Sequence, residues 1–310
     1  MDPLSDLLSL LKLRNYLSAG FDVGDDWLVQ FPDQQQSIKC GAILNGDCWL
    51  AVEGVDEAVH LQAGDCFVLP WGRPFRLGSD LNGRCVPARD LFNALGQGTI
   101  STYQGGGRCY GVSSRFALSS QHNSLLTQLL PAIVHIREDQ GAASLRWCVE
   151  QMMQEMRNLQ AGSTLVIEHL AHMILIQALR LHQQSATDLR QGWLFALQDP
   201  AIGRALEAIH QQPAQRWTLQ SMAEQAGQSR SSFAQHFRTK VGTPPLEYLT
   251  QWRMLLAGDR LQRTDDSVSS VALSLGYESE SAFSTAFKRV MGCSPRQYSL
   301  QAAAATELAD

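Results

Sequence analysis

The 310-residue sequence predicts an α+β multidomain protein: an N-terminal β-barrel with following α-helices, and a C-terminal all-α domain with two helix-turn-helix units. Three observations support this class. Between about residues 26 and 120, short apolar runs alternate with Gly, Asn and Asp, which is typical of antiparallel strands. From about residue 123 to 184, apolar residues recur at helical spacing. Beyond residue 195, one pattern occurs twice, which indicates one structural unit used twice.

The N-terminal residues 4–17 are predicted to form a helix, because their leucines recur at helical spacing. The N-terminus does not resemble a signal peptide, since Asp2 precedes any basic residue and Lys12 interrupts the apolar stretch. No apolar run in the sequence approaches the roughly 20 residues that cross a membrane. We therefore expect a soluble, cytoplasmic protein with no membrane partner.

The segment 64–72 reads GDCFVLPWG and carries the strongest signal of the barrel. Its first two residues predict a tight turn, and a buried strand follows them. Pro70 ends that strand, because proline lacks the N–H that a sheet ladder requires. The segment resembles the second motif of cupin barrels, which implies a cupin-like sensor barrel over residues 1–120.

The metal ligands of that motif are missing from this chain. Metal-binding cupins carry a histidine three residues after Pro-x-Gly, where this sequence has Phe75. The paired histidines of the first motif are also absent, since the matching strand, residues 48–53, reads CWLAVE. His60 stands alone and is interpreted as an ordinary surface or hydrogen-bonded residue. We therefore predict a barrel without a metal or cofactor.

Residues 121–190 are predicted to form a helical region that packs on the barrel or mediates dimerisation. Its last helix begins at Ser163 and is apolar on more than one face, from Leu165 to Leu179. Such a helix is buried on several sides. The sequence leaves open whether the barrel or a second copy covers it, and a homodimer is expected.

The C-terminal domain, residues 195–300, contains the duplicated pattern. Residues 229–248 read SRSSFAQHFRTKVGTPPLEY and residues 279–298 read SESAFSTAFKRVMGCSPRQY, and they share a Ser, two Phe, a Gly, a Pro and a Tyr at an offset of 50. In each copy, the Ser caps a helix whose two Phe, spaced i and i+4, face a core. A shorter helix ending at a Gly precedes each. The sequence therefore predicts helix-turn-helix units at about 218–239 and 266–289, joined by a long helix over 245–264.

This duplicated pattern, with its matching Gly-x-x-Pro-x-x-Tyr endings, resembles the AraC/XylS family of bacterial transcription regulators. The resemblance implies a sequence-specific regulator, not an enzyme, that binds double-stranded promoter DNA and contacts RNA polymerase. The charge distribution agrees with a phosphate-binding surface in the C-terminal part. Residues 201–298 hold 11 Lys and Arg against 8 Asp and Glu, whereas residues 1–200 hold 14 against 20.

The same resemblance assigns DNA contacts to the second helix of each unit, which enters the major groove. The base-reading positions fall on Arg230, Ser231, Ala234, Gln235, Glu280, Ser281 and Thr285. Basic residues near the helix ends are candidates for phosphate contacts: Arg238, Lys240, Lys288 and Arg289.

The sequence leaves three hypotheses open for the role of the barrel. The first is an unknown small-molecule effector. The second is oxidation of thiols, because the predicted barrel contains Cys40, Cys48, Cys66 and Cys85. The third is a metal-dependent cupin enzyme fused to a DNA-binding domain, which would need a histidine cluster.

Overall fold

The computed structural model describes residues 2–11, 13–34, 37–92, 98–117, 130–138, 143–184, 192–264 and 266–300. The chain divides into two compact units. The barrel unit comprises residues 12–187, and the C-terminal unit comprises residues 188–310 together with residues 1–11. The first helix, α1 (Pro3–Leu11), is therefore part of the C-terminal unit although it precedes the barrel in sequence.

The barrel unit is built from two sheets that enclose an apolar core. Its described strands are β1 (Arg14–Val23), β2 (Leu28–Phe31), β3 (Ile38–Asn45), β4 (Asp47–Val52), β5 (Val59–Gln62), β6 (Cys66–Leu69), β7 (Phe75–Gly78), β8 (Val86–Pro87), β9 (Ile100–Tyr103), β10 (Cys109–Ala117) and β11 (Val134–Ile136). The first sheet has the order β11-β6-β3-β10-β1-β9, and the second has the order β5-β4-β7-β2-β8. Most neighbouring strands are antiparallel, as the sequence predicted.

The two longer helices of the barrel unit pack on the first sheet, and strands β3 and β4 therefore differ in their pattern of buried residues. The helices of this unit are α2 (Ala88–Phe92), α3 (Ala143–Arg157) and α4 (Ser163–Gln184). Helices α3 and α4 pack against each other, and α4 contacts strands of the first sheet. Strand β3 is consequently buried on both faces over most of its length. Strand β4 of the second sheet instead alternates, with Cys48, Leu50 and Val52 buried between more exposed residues.

Helix α4 bears on the expectation that no apolar stretch of the sequence is long enough to cross a membrane. Its 22 residues have a mean hydropathy of 1.3 over the most apolar 18, so by length and composition it could cross a membrane. Isolated polar residues interrupt its sequence, so it contains no long run of consecutive apolar residues although its average hydropathy is high. Nine of its residues, including Ile167, Ile174 and Leu179, are buried in the folded unit. The core helix of a globular domain passes the same length test.

The predicted N-terminal helix is shorter than the leucine spacing indicated. It ends at Leu11, and strand β1 begins at Arg14. Residues 14–23 pair with β10 on one side, and residues 20–23 pair with β9 on the other. Because this pairing satisfies backbone groups that a helix would satisfy locally, tertiary context overrides the local helical pattern.

The C-terminal unit is entirely helical in its described part. After α1, its helices are α5 (Trp193–Ala196), α6 (Pro200–Gln211), α7 (Leu219–Ala226), α8 (Arg230–Val241), α9 (Pro245–Arg263), α10 (Val268–Ser274) and α11 (Glu280–Met291). Helices α7 and α8 form the first helix-turn-helix unit, and α10 and α11 form the second. Helix α9 joins them and contacts all four.

The local signals that delimit these helices are present as predicted. The hydroxyl of Ser229 accepts a hydrogen bond from the backbone N–H of Ser232, and Ser279 does the same for Ala282. Helix α7 ends at Gly227, whose φ of 68° lies in the left-handed region where glycine is favoured. The four phenylalanines of the repeat are fully buried: Phe233, Phe237, Phe283 and Phe287.

Candidate nucleic-acid interface

Helices α8 and α11 present the same side-chain pattern to solvent. Position by position, their sequence of buried, half-buried and exposed residues is identical over all twelve residues. Three residues are buried in each helix, at the two Phe positions and at the last position. The first three residues of each helix are exposed. The duplication therefore extends to the surface that each helix leaves open, which is the surface a recognition helix uses.

On α8, the predicted reading residues lie on one exposed side at the start of the helix. Arg230, Ser231 and Gln235 are exposed, and Ala234 is half-buried. Four residues of this helix region, Ser229, Arg230, Ser231 and Ala234, line a shallow groove that also includes the first residues of α7. The groove combines a guanidinium, two hydroxyls and a methyl group.

On α11, the predicted reading residues Glu280, Ser281 and Thr285 are all exposed. The hydroxyl of Thr285 donates a hydrogen bond to the carbonyl of Ser281 at 3.0 Å. This hydroxyl proton is therefore already engaged, although the oxygen can still accept. The second helix offers fewer free donors than the first.

The basic residues predicted to contact phosphates differ in exposure. Arg238, Lys288 and Arg289 are exposed near the ends of their helices. Lys240 is half-buried, and its backbone carbonyl accepts a hydrogen bond from the N–H of Gly192 at 2.9 Å. Three of the four cations are thus exposed to solvent, and Lys240 is less accessible.

Helix α9 fixes the separation between the two units. It is continuous over 19 residues, which corresponds to about 28 Å at 1.5 Å per residue. Arg253 in its middle donates hydrogen bonds to the carbonyls of Pro213 and Gln215, both at 2.7 Å. The same guanidinium lies 5.6 Å from the centre of the Tyr277 ring, which belongs to the second unit. One side chain therefore links α9 to the segment between α6 and α7 and to the second helix-turn-helix unit.

A buried hydrogen-bonded chain beneath the first unit was not predicted from the sequence. Tyr248 accepts a hydrogen bond from Nε1 of Trp193 at 2.7 Å, and its hydroxyl lies 2.7 Å from Nε2 of His210. Nδ1 of His210 lies 3.3 Å from the carboxylate of Asp6 on α1. Burial lowers the pKa of His210, with Asp6 opposing the shift, so the imidazole is neutral at neutral pH. The duplicated pattern identifies Tyr248 as a core residue, but no local sequence pattern identifies Trp193, His210 or Asp6 as members of this chain.

The family models that match this chain are a cupin domain over residues 2–184 and a helix-turn-helix domain over residues 222–301. An AraC-like transcription regulator of Streptomyces lividans is 41% identical over 306 residues, which cover 96% of this chain and 98% of that protein. The chain belongs to the AraC-like family of transcription regulators. It is a DNA-binding regulator with a cupin-type N-terminal domain.

The chain is also similar to a second transcriptional regulator and to a solved DNA-binding domain. An HTH-type transcriptional regulator of Haemophilus influenzae is 31% identical over 308 residues, covering 96% of this chain and 98% of that protein. The solved DNA-binding domain of AdpA, in complex with a target DNA, is 30% identical. It covers 34% of this chain and 94% of its own, with a TM-score of 0.33.

In this AraC-like regulator, the cysteines of the barrel form two close pairs. The thiols of Cys40 and Cys66 are hydrogen-bonded, and so are those of Cys48 and Cys109. All four are buried, whereas Cys85 is exposed. The hydrogen bond to its neighbour and burial raise the pKa of Cys48 and of Cys66. No sequence pattern indicates Cys109 as the partner of Cys48, because the two lie on different sheets, β10 and β4, and meet only in the core that the sheets enclose.

The positions where other cupins hold metal carry different chemistry here. Phe75 is buried and stacks on Phe31, with 4.4 Å between ring centres. His60 bonds to the carboxylate of Asp47 at 2.8 Å, as a hydrogen-bonded surface residue would. Within the described residues, no group of three or more His, Cys, Asp or Glu could hold a metal ion.

Proposed function

We propose that this AraC-like regulator reads one asymmetric promoter site with α8 and α11 together, under the control of a small-molecule effector bound by its barrel. One observation carries the DNA half of the proposal: the two helices expose equivalent positions and are joined by one continuous helix. Adjacent major grooves on one face of DNA lie about 34 Å apart. A rigid connector of about 28 Å, with a packed unit at each end, suits two adjacent grooves.

We assign different tasks to the exposed residues of the two helices. On α8, Arg230 and Gln235 are the strong readers, because Arg pairs bidentately with guanine and Gln with adenine. Ser231 adds a hydrogen bond, and Ala234 contacts a thymine methyl. On α11, Glu280, Ser281 and Thr285 are weaker readers, with the Glu accepting from cytosine. Arg238, Lys288 and Arg289, with Lys240 in a lesser role, contact phosphates.

The first experiment selects DNA from a random pool with the full-length protein and footprints the selected site. Protection should extend over nearly two helical turns without a palindrome. Affinity should fall steeply with salt, because phosphate contacts release counterions. Inserting five base pairs between the two half-sequences should restrict protection to one half, since both helices can no longer face the same side. Undiminished protection of both halves would exclude a rigid two-groove clamp.

The second experiment separates readers from phosphate contacts. Gln235→Ala should weaken binding to the selected site by about 1–3 kcal/mol and relax preference at one base pair. Lys288→Ala should weaken binding to every sequence and make the salt dependence shallower. Thr285→Ala is the matched control for Gln235→Ala, because it changes the equivalent position of the second helix. Identical profiles for the Gln235 and Lys288 variants would contradict this division of tasks.

The remaining parts of the proposal concern assembly. Helix α4 leaves Leu165, Val166 and Met173 exposed, at 60%, 45% and 42% of their surface, on one side. Nearby in sequence, Trp147 of α3 is 52% exposed. Apolar surface of this extent suits a homodimer contact between barrel units. We place the regulator in the cytoplasm, where it acts on RNA polymerase at promoters and has no catalytic role of its own.

Thiol oxidation is the second candidate for the signal, favoured by the two hydrogen-bonded thiol pairs. A peroxide could convert Cys48 and Cys109 to a disulfide, with two thiols oxidised and the peroxide reduced to two waters. Burial of both sulfurs argues for slow reaction. Exposure to hydrogen peroxide followed by mass spectrometry should show whether this bond forms, with DNA binding measured in parallel. Intact thiols under conditions that abolish DNA binding would exclude this pair as the sensor.

A further inference from the structure

We propose that the cavity between the two sheets of the barrel binds a small amphipathic carboxylate. Its carboxylate group would lie at Lys39 and Arg115, and its apolar body would extend along Phe21 and Leu77 towards Val23. This inference rests on the proposed function and gives the effector a chemical class. It is carried by the shape of the cavity and by the position of two cations at one end.

The cavity is lined mainly by apolar side chains and is large enough for a small organic molecule. Its volume is about 250 Å³, compared with about 150 Å³ for an engineered cavity that binds benzene. Alternate residues of β1, from Leu17 to Val23, line it on one side. These two residues are six positions apart on an extended strand, which corresponds to about 20 Å. Val29 and Phe31 of β2, Leu77 of β7 and Ala88 of α2 complete the apolar walls. Arg89 of α2 also lines the cavity, but its guanidinium is exposed and lies 3.5 Å from the carboxylate of Asp90.

Lys39 provides a buried cation at one end of this cavity. Its side chain lines the cavity, and the residue is only 6% exposed. Nζ donates one hydrogen bond, to the hydroxyl of Ser113 at 2.9 Å. An ammonium has three N–H donors, so others remain to bind an acceptor. Burial, and repulsion by Arg115, lower the pKa of Lys39 to about 8.

Arg115 lies directly opposite Lys39 in the pairing of β10 with β3, and it lines the same end of the cavity. Its guanidinium donates to the hydroxyl of Ser37 at 3.0 Å and to the carbonyl of Gln34 at 2.9 Å. Both partners are neutral. Across β1, Arg115 pairs in register with Leu17, whereas Val23 lies at the other end of the strand. The two positive charges therefore mark one end of the cavity.

The charge at this end is not balanced by the walls of the cavity. Among the described residues that line it, none is Asp or Glu. Holding two cations side by side in an apolar site costs free energy unless an anion joins them. A carboxylate would accept hydrogen bonds from both, and the apolar remainder would receive an alkyl or aryl body. An alcohol would lack the charge, and an amine would add another cation beside Lys39 and Arg115.

The test is isothermal titration calorimetry on the full-length protein with sodium octanoate, 1-octanol and octylamine. Octanoate should bind more tightly than the other two. Lys39→Met, which keeps the chain length and removes the charge, should weaken octanoate binding by about tenfold to a hundredfold. Octanol binding should change little in this variant. Arg146→Met is the matched control, because it removes an exposed cation of the same unit that pairs with Glu138 outside the cavity.

A second variant covers the case in which Lys39→Met fails to fold. Ala88→Phe places a ring in the apolar part of the cavity from α2, so it should abolish binding of octanoate and octanol alike. Equal binding of octanol and octanoate, preferential binding of octylamine, or octanoate binding that persists in Ala88→Phe would each overturn the inference. So would the absence of octanoate binding to a wild-type protein that still binds its selected DNA. A wild-type protein that binds octanoate but no DNA would instead refute the proposed function.

Discussion

Removing the hydroxyl of Tyr248 tests whether the buried chain of hydrogen bonds stabilises the C-terminal unit. In Tyr248→Phe, Nε1 of Trp193 loses its acceptor and Nε2 of His210 loses its partner. Both side chains are buried, so water cannot replace the lost oxygen. A buried polar group left without a partner costs about 1–3 kcal/mol. Two such groups predict a loss of about 2–6 kcal/mol in the free energy of unfolding.

The repeat supplies a matched control at the equivalent position. Tyr298 is also buried, and its hydroxyl accepts a hydrogen bond from Nε2 of Gln262 at 3.0 Å. Gln262 is half-buried, so in Tyr298→Phe its amide can turn to water. Loss of the hydrogen bond to Gln262 should therefore cost about 1 kcal/mol, the usual net contribution of one hydrogen bond, which is less than the loss expected for Tyr248→Phe.

Amide hydrogen exchange of the full-length protein measures both variants, because peptides from α6 and α9 report on the C-terminal unit separately from the barrel. Protection of these peptides should decrease much more in Tyr248→Phe than in Tyr298→Phe. Equal losses in the two variants would refute the reasoning, since they would show that the additional partners at Tyr248 contribute nothing. Unchanged protection in Tyr248→Phe would show that Tyr248 does not make these hydrogen bonds to Trp193 and His210 in solution.

The remaining predictions concern the cores, two titrating groups and assembly. Phe237→Ala should destabilise the C-terminal unit by about 3–5 kcal/mol in hydrogen exchange, and an unchanged exchange profile would show that this ring is exposed. Burial lowers the pKa of His210 below 6.5, so the unfolded chain binds the proton more readily. The C-terminal unit should therefore lose stability as pH falls below 6.5, and His210→Gln should remove this dependence in thermal melts at pH 7.5 and 5.5. Lys39→Met should stabilise the barrel at pH 7, because the difference between 10.5 and about 8 corresponds to about 3 kcal/mol; a less protected barrel in exchange experiments would contradict this. The double substitution Leu165→Ser and Met173→Ser should shift the protein from dimer to monomer in analytical ultracentrifugation. An unchanged dimer would place the interface elsewhere.

The sequence by itself determined the architecture of the DNA-binding half. Its signals are local: a capping Ser at 229 and 279, a left-handed Gly at 227, and two phenylalanines per helix at i and i+4. Each acts through backbone groups or side chains within one or two turns of helix. Repeating them at a fixed offset makes chance agreement improbable, so the helix-turn-helix units and their exposed faces followed from the residues alone.

The tertiary structure decided whatever depends on contacts distant in sequence. Leucine spacing predicted a helix to residue 17, but pairing with β10 and β9 makes a strand from Arg14 onwards. Cys109 meets Cys48, and Lys39 meets Arg115, only because the barrel brings their strands together. Asp6 reaches His210 across more than 200 residues. No spacing rule encodes these neighbours, because sheet pairing and helix docking are fixed by the total burial of apolar surface and the satisfaction of backbone groups, which belong to the whole fold.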